Sequence, residues 1–316
     1  MKYVDEFRDG ERARQLAAAI RDAVDPGRQY RFMEFCGGHT HAVFRYGVPD
    51  LLPDNVELIH GPGCPVCVLP IGRLDMAIDL VRSNPKVILA SYGDMLRVPA
   101  SKRVSLQKAR AEGADVRMVY STSDALDLAR HNPDREVVFF AIGFETTTPP
   151  TALAVKRAQQ EGLENFSIFC NHVLTPAAMG AIVDLGDPEQ RVELDGVLGP
   201  SHVSVVIGSD AYEFCARDYQ LPIVIAGFEP LDVLQSLLML IQQVNAGVAR
   251  VENQYTRAVT PAGNASAQRA VDEVFERRLA FEWRGLGSIP DSALKLRPAF
   301  SAFDAEHRFE MTYKPA

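Results

Sequence analysis

The sequence predicts an α/β fold: two Rossmann-like parallel-sheet lobes followed by a loop-rich, partly helical C-terminal segment. Three observations lead there. Short β-branched runs alternate with longer amphipathic segments along most of the chain, the pattern of strands and crossover helices in parallel sheets. The length, 316 residues, exceeds one typical domain, and 47% hydrophobic residues can fill sizeable cores. Finally, ILASYGD (88–94), FFAIGFE (139–145) and IVIAGFE (223–229) each end an apolar run with glycine and a carboxylate within two residues. Open α/β sheets gather ligands beyond the carboxyl ends of their strands, which puts Asp94, Glu145 and Glu229 where sites are built. The same acids would also serve as caps of the helices that follow.

Taken in order, ERARQLAAAIRDAV spaces Leu16, Ile20 and Val24 at helical intervals. YRFMEFC reads as a strand ending at Cys36, and VELIHGPGC as a strand ending just before Cys64. Then come GRLDMAIDLVRSN (helix), KVILASYGDM (strand and turn), SLQKARAEG (helix), DVRMVYS (strand) and TSDALDLARHN, a helix with Ser or Thr as its N-cap. The alternation continues through EVVFFAIGFE, TALAVKRAQQEG, FSIFCNH, PAAMGAIVDLG, HVSVVIGS, DAYEFCARDY, PIVIAGFE and PLDVLQSLLMLIQQVNAG, with HVSVVIGS in a strand position. Seven or eight strands before residue 230 suffice for two sheets. The expected boundaries are 1–130 for a first lobe, 131–248 for a second and 249–316 for a helix and a tail. In that last part NASAQRAVDEVFERRLAFEW reads as one helix capped by Asn264 or Ser266, and the aperiodic stretch after it as a wrapping tail.

Lys plus Arg number 33 against 41 Asp plus Glu, a net charge of −8 that disfavours nucleic acid and anionic membrane as partners. No apolar run nears the roughly 20 residues that cross a bilayer, and MKYVDEFRDGERARQ is too charged for a secretory signal, so the expected compartment is the cytoplasm. Five cysteines, an odd count, do not read as a disulfide framework. Cys170 and Cys215 sit in apolar or helical surroundings as small hydrophobes. Cys36, Cys64 and Cys67 lie among glycines and prolines, where packing explains them poorly.

Those three thiols carry the chemistry. In CGGHTH (36–41) two glycines let the backbone turn sharply and leave the Cys36 thiol uncovered, with His39 and His41 close enough to lower its pKa or to bind metal. In HGPGCPVC (60–67) proline after the first cysteine restricts the loop and favours a preformed Cys64–Cys67 dithiol. Several readings remain open. Zinc would take Cys64, Cys67 and two ligands from Cys36, His39, His41 or His60, but no second paired unit stands at zinc-finger spacing. A thioredoxin-type oxidoreductase would open a long helix directly at the C-x-x-C. A three-thiol site would set a reversible dithiol beside a soft transition-metal ligand. Turn cysteines without chemistry are the plain alternative, as is an adaptor whose thiols serve only a partner interface. A free-standing enzyme with Asp94, Glu145 and His39 as acid–base groups is a further option. A nucleotide enzyme is disfavoured, because neither a G-x-x-x-x-G-K-[ST] loop nor a G-x-G-x-x-G after a strand is present.

CGGHTH, GPGCPVC, SYGDMLRVP, GFETTTP, CNHVLTP, GPSHVS, AGFEPLDVL and GLGSIPDSAL, in that order from about residue 30 onward, together resemble the hydrogenase maturation protein HypD family. The resemblance implies a scaffold that works with the small chaperone HypC. Together they assemble the Fe(CN)2CO moiety of [NiFe]-hydrogenase, with cyanide arriving on the carboxy-terminal thiocyanate of HypE, itself modified by HypF. It implies Cys36 as an iron ligand shared with a HypC cysteine, Cys64 and Cys67 as a redox pair, and His39 as a tuning or proton-donating group. Gly37, Gly38, Thr40, His41, Asp94, Glu145 and Thr146 would line the cleft that receives substrate and partner. The three thiols are expected to approach one another. The family also carries a cysteine-rich C-terminal segment for a [4Fe–4S] cluster, of which 249–316 would be a remnant. No cysteine follows Cys215, so the ligands of that cluster are absent from this sequence, as expected of a truncated chain or a member that lost the segment.

Overall fold

The computed structural model describes residues 5–184 and 193–313. Strands are β1 (Tyr30–Glu34), β2 (Val56–His60), β3 (Val87–Tyr92), β4 (Val116–Val119), β5 (Glu136–Gly143) and β6 (Phe166–His172). They continue with β7 (Gly196–Gly199), β8 (Ile223–Ile225), β9 (Val251–Asn253), β10 (Phe275–Arg277), β11 (Ala280–Trp283), β12 (Gly287–Pro290) and β13 (Leu294–Leu296). A five-stranded sheet runs β2-β1-β7-β8-β9 and a four-stranded sheet β4-β3-β5-β6, every pair parallel. The predicted α/β class with two parallel sheets is what forms, and no described helix is long and apolar enough to cross a membrane.

The chain divides into two compact units, Met1–Cys64 with Ala178–Ala265, and Pro65–Ala177 with Ser266–Ala316. That differs from contiguous lobes cut at 130 and 248. The cause is pairing: β1 takes β7 as its inner neighbour, with Phe32 opposite Gly196, so the first sheet is completed only after the second has been made.

In the first unit, helix α1 (Gly10–Ala23) begins where Asp9 accepts the Glu11 and Arg12 N–H groups, and buries Ala17 and Ile20. Ile20, Tyr30, Phe32, Leu198 and Val224 share one core with Val233, Leu237 and Leu240 of the helix Pro230–Asn245. On another core lie Met33, Val197, Ile223 and Cys215. HVSVVIGS is a helix, Ser201–Ile207, rather than a strand; the strand is GVLG just before it, buried throughout. A β-branched run reads as strand from sequence, but Val203 and Ser204 are buried while Val205 is exposed, which is helical spacing.

In the second unit β5 and β6 are buried almost completely, and Val137, Phe139, Phe166 and Ile168 form the core with Val155 and Leu126. The segment expected as a wrapping tail is more ordered than its composition suggests. The helix Ala265–Val274 stops where Phe275–Arg277 pairs antiparallel with Leu294–Leu296, and β11–β12 forms a hairpin. Isolated bridges Ile168↔Asp304 and Val173↔Ala293 tie this segment to the β6 region. The expected helix end at Leu185 and Gly186, and the tail's last three residues, lie outside the described residues.

Candidate functional site

The Cys36 element is not the glycine-bent turn expected from CGGHTH. Gly37–Arg45 is a helix, α2, and Cys36 is its N-cap, with extended backbone and a carbonyl that accepts from His39 N (2.8 Å) and Thr40 N (3.2 Å). Nor is the thiol uncovered: Cys36 is 9% exposed. Burial pushes its pKa up, and the Gly38 and His39 N–H groups at the helix start only partly oppose this. A metal taking this sulfur must displace a proton.

Glu34, which the sequence reading passed over, organises the turn. It ends β1, is 1% exposed, and accepts from Cys36 N (2.9 Å), from the Thr40 hydroxyl and from His60 Nδ1 (2.7 Å). A carboxylate placed directly after the apolar pair Phe32 and Met33, where the strand enters a cysteine-bearing turn, is the signal that could have found it. A second link joins the loops. Gly37 N–H donates to Gly63 O at 3.3 Å, and a side chain on Gly63 would overlap Gly37 N and come within 2.8 Å of the Cys36 carbonyl carbon. Only glycine lets the GPGC loop lie on the Cys36 backbone. Cys64, half-buried, follows at the end of that loop. Cys67 is exposed on the short helix α3 (Pro65–Val68), which is counted with the second unit. None of the five cysteines forms a disulfide.

His39 does not face the thiol as a cation. It is fully buried, its Nε2 lies 3.0 Å from Ala226 O and 3.2 Å from Ser201 Oγ, and its ring packs on Phe228. Burial lowers its pKa, so the ring is neutral, with Nε2–H donating to the carbonyl and Nδ1 left as a buried acceptor. Gly38 has a packing reason as well: a Cβ there would come within 2.8 Å of the Phe228 ring. Thr40 is held by Glu34, and His41 is exposed.

Asp94, Glu145 and Thr146 belong to the second unit, at the carboxyl ends of β3 and β5. Asp94 and Thr146 are exposed. Glu145 is 5% exposed and accepts from Thr175 N (2.7 Å) and Thr175 Oγ1 (2.9 Å), so it caps the helix Thr175–Val183, not the helix that follows it in sequence. Burial raises its pKa to about 7. Glu229, by contrast, stands at the N-cap of Pro230–Asn245 as the capping reading expects, and pairs with Arg8.

Among the described residues no group of three or more His, Cys, Asp and Glu is placed to hold a metal ion, so the tetrahedral zinc set is not assembled. A [4Fe–4S] cluster does not fit the residues present either. Cys170 and Cys215 are buried in different units, burial pushing each thiol up to about 12, and no cysteine follows them in this sequence.

The family described as "HypD: Hydrogenase formation hypA family" matches residues 11–316. The hydrogenase maturation factor HypD of Azotobacter vinelandii is 69% identical over 314 residues, 98% of this chain and 82% of that protein. The factor of the same name from Cupriavidus necator is 58% identical over 319 residues, 100% and 83% of the two chains. The one from Escherichia coli K12 is 49% identical over 314 residues, 98% and 83%. With matches of this extent and identity, the chain belongs to the HypD family of hydrogenase maturation factors.

Proposed function

We propose that within hydrogenase maturation this chain is the cytoplasmic scaffold on which iron acquires its diatomic ligands, with Cys36 as the thiolate that holds the iron. The observation that carries this reading is the seating of the Gly63 loop on the Cys36 backbone. It joins the prospective metal ligand to the loop that bears Cys64. The iron is cargo, bound between Cys36 and a cysteine of HypC, thiolates being the soft ligands that suit such a metal.

HypE brings cyanide as an S-cyano group, and HypF supplies the modification upstream. Cys64 and Cys67 release it: one thiol attacks the sulfur of the S-cyano group, the S–CN bond breaks, and the second thiol closes the disulfide. The dithiol is oxidised by two electrons, the S-cyano group is reduced to a thiol, and cyanide leaves with the second proton. Carbon monoxide joins the same iron, completing Fe(CN)2CO. Cys36, which begins as a buried thiol, releases its proton to solvent as the arriving metal takes the sulfur.

Infrared spectroscopy of the chain co-purified anaerobically with its small partner tests the assignment. Cyanide and carbon monoxide stretching bands are expected in the wild-type complex and absent from Cys36→Ala. Iron without such bands in the wild type would overturn the scaffold role. Thiol titration under mild oxidant should show Cys64 and Cys67 closing to a disulfide; two persistent thiols there would remove the redox step.

A further inference from the structure

We infer that Arg284 is a carboxylate-binding residue of the CPVC turn, reading the chain-terminal carboxylate of the peptide that brings its cargo to Cys64 and Cys67. Arg284 follows β11 and opens the turn into β12, and its own N–H donates to Val68 O at 2.7 Å. Val68 is the last residue of α3 and the neighbour of Cys67, so the arginine is fixed by its backbone to the end of the thiol-bearing helix. The residue before it is anchored firmly: Trp283 is 1% exposed, donates to Ser292 Oγ at 2.9 Å and packs on Phe144.

Its guanidinium is unusual. Nε and Nη2 are both buried and meet no acceptor among the described residues. These two N–H groups leave the same edge of the guanidinium in parallel, the fork that grips a carboxylate through both oxygens. Elsewhere in the chain that edge is filled in this way, by Asp115 on Arg117 (2.9 and 2.9 Å) and by Glu161 on Arg130 (2.8 and 2.9 Å). Buried N–H donors without an acceptor carry a free-energy cost, which an incoming pair of acceptor oxygens would relieve. Two acids of the same unit have other partners. Glu282 takes the Tyr313 hydroxyl, and Glu306 takes Arg73 and Arg278.

A planar anion with two oxygens complements the fork. The inference rests on reading Cys64 and Cys67 as the thiols that receive an S-cyano group. A cysteine that ends its chain carries the α-carboxylate on the same residue as the reacting sulfur. A carboxylate held at Arg284 would therefore bring that sulfur to the turn that Val68 closes.

The test uses the full chain and two probes, acetyl-Gly-Gly-(S-methyl)cysteine as its free acid and as its C-terminal amide, titrated by calorimetry. The blocked sulfur excludes disulfide exchange. The acid is expected to bind at least tenfold more tightly than the amide, and Arg284→Lys, which keeps the charge and loses the fork, is expected to abolish the preference, as is Arg284→Gln. Trp283 fluorescence and far-UV circular dichroism verify that the variants fold. Equal affinity for acid and amide in the wild type, or a preference that survives both substitutions, overturns the inference. The redox reading fails separately, if the wild-type Cys64–Cys67 pair does not oxidise while the acid preference remains.

Discussion

Glu34 shows how much one side chain decides at this site. Its two oxygens gather the Cys36 N–H, the Thr40 hydroxyl and the His60 ring, joining the end of one strand, the first turn of α2 and the end of the neighbouring strand. Glu34→Gln replaces one acceptor oxygen with a donor, which must then face either the Cys36 N–H or the Thr40 and His60 side. A buried donor left without an acceptor costs about 1–3 kcal/mol. Hydrogen exchange of amides in the first unit should report a stability lowered by that amount, and unchanged protection would show that the carboxylate is not the organiser. The cysteines allow a second prediction from burial and pKa together. At pH 7.5 iodoacetamide should modify exposed Cys67 first and half-buried Cys64 next. Cys36, Cys170 and Cys215 should follow far behind, because burial covers their sulfurs and disfavours their thiolates. Mass spectrometry of timed digests gives the order, and early labelling of Cys36 would contradict the buried thiol.

Between elements, the decisive contact is backbone on backbone. Gly63→Ala puts a methyl group into Gly37 N and the Cys36 carbonyl carbon, neither of which can swing aside as a side chain could. The GPGC loop must then lift. We expect native helix content by circular dichroism, Cys36 alkylation accelerated at least tenfold, and iron loading lost; alkylation at the wild-type rate would mean that the loop is not what covers the thiol. This level also marks what the sequence could reveal. Most strands of the two sheets were legible because runs such as VVFFAI and IVI are buried on both faces, but the short β7 and β9 were not, and the thiols stood out because they lie among glycines and prolines. Helix α2 was hidden, since two glycines and two histidines are poor helix formers and the helix is held by tertiary contacts with Phe228 and Glu34. Glu34 itself was invisible as an organiser because its His60 partner lies 26 residues away. The small ribbons after Val274 were missed because each strand is only three or four residues long and polar residues interrupt it.

At the scale of the whole molecule the chain leaves its first unit at Cys64, builds most of the second, returns at Ala178 and leaves again at Ala265. The only tryptophan, Trp283, is buried in the second unit and so reports that unit's unfolding alone. Two buried groups there oppose each other as pH changes. Burial raises Glu145 from 4.5 to about 7, against its own N–H, the Thr175 bonds and the Arg277 charge. The native state thus keeps a proton that the unfolded chain releases above 4.5, and stability falls as pH rises through this window. Burial lowers His172 from 6.5 to about 4, its Nε2 meeting Thr151 Oγ1 at 3.0 Å while Nδ1 stays buried. Here the unfolded chain binds the proton first on acidification, so the stability is complete above 6.5 and is lost as pH falls towards 4. Each contribution has a slope of about 1.4 kcal/mol per pH unit, with opposite signs, and between pH 4.5 and 6.5 they cancel. Glu145→Gln keeps a carbonyl for Thr175 N–H and removes the titration, so relative to wild type its stability should climb by about 3 kcal/mol between pH 4.5 and 7. His172→Gln should do the reverse, falling by a similar amount relative to wild type as pH rises from 4 to 6.5. Denaturant unfolding followed by Trp283 fluorescence at half-unit pH steps measures both differences. Parallel curves for the three proteins would mean that neither proton is displaced on folding, and hence that the carboxyl ends of β5 and β6 are open to water.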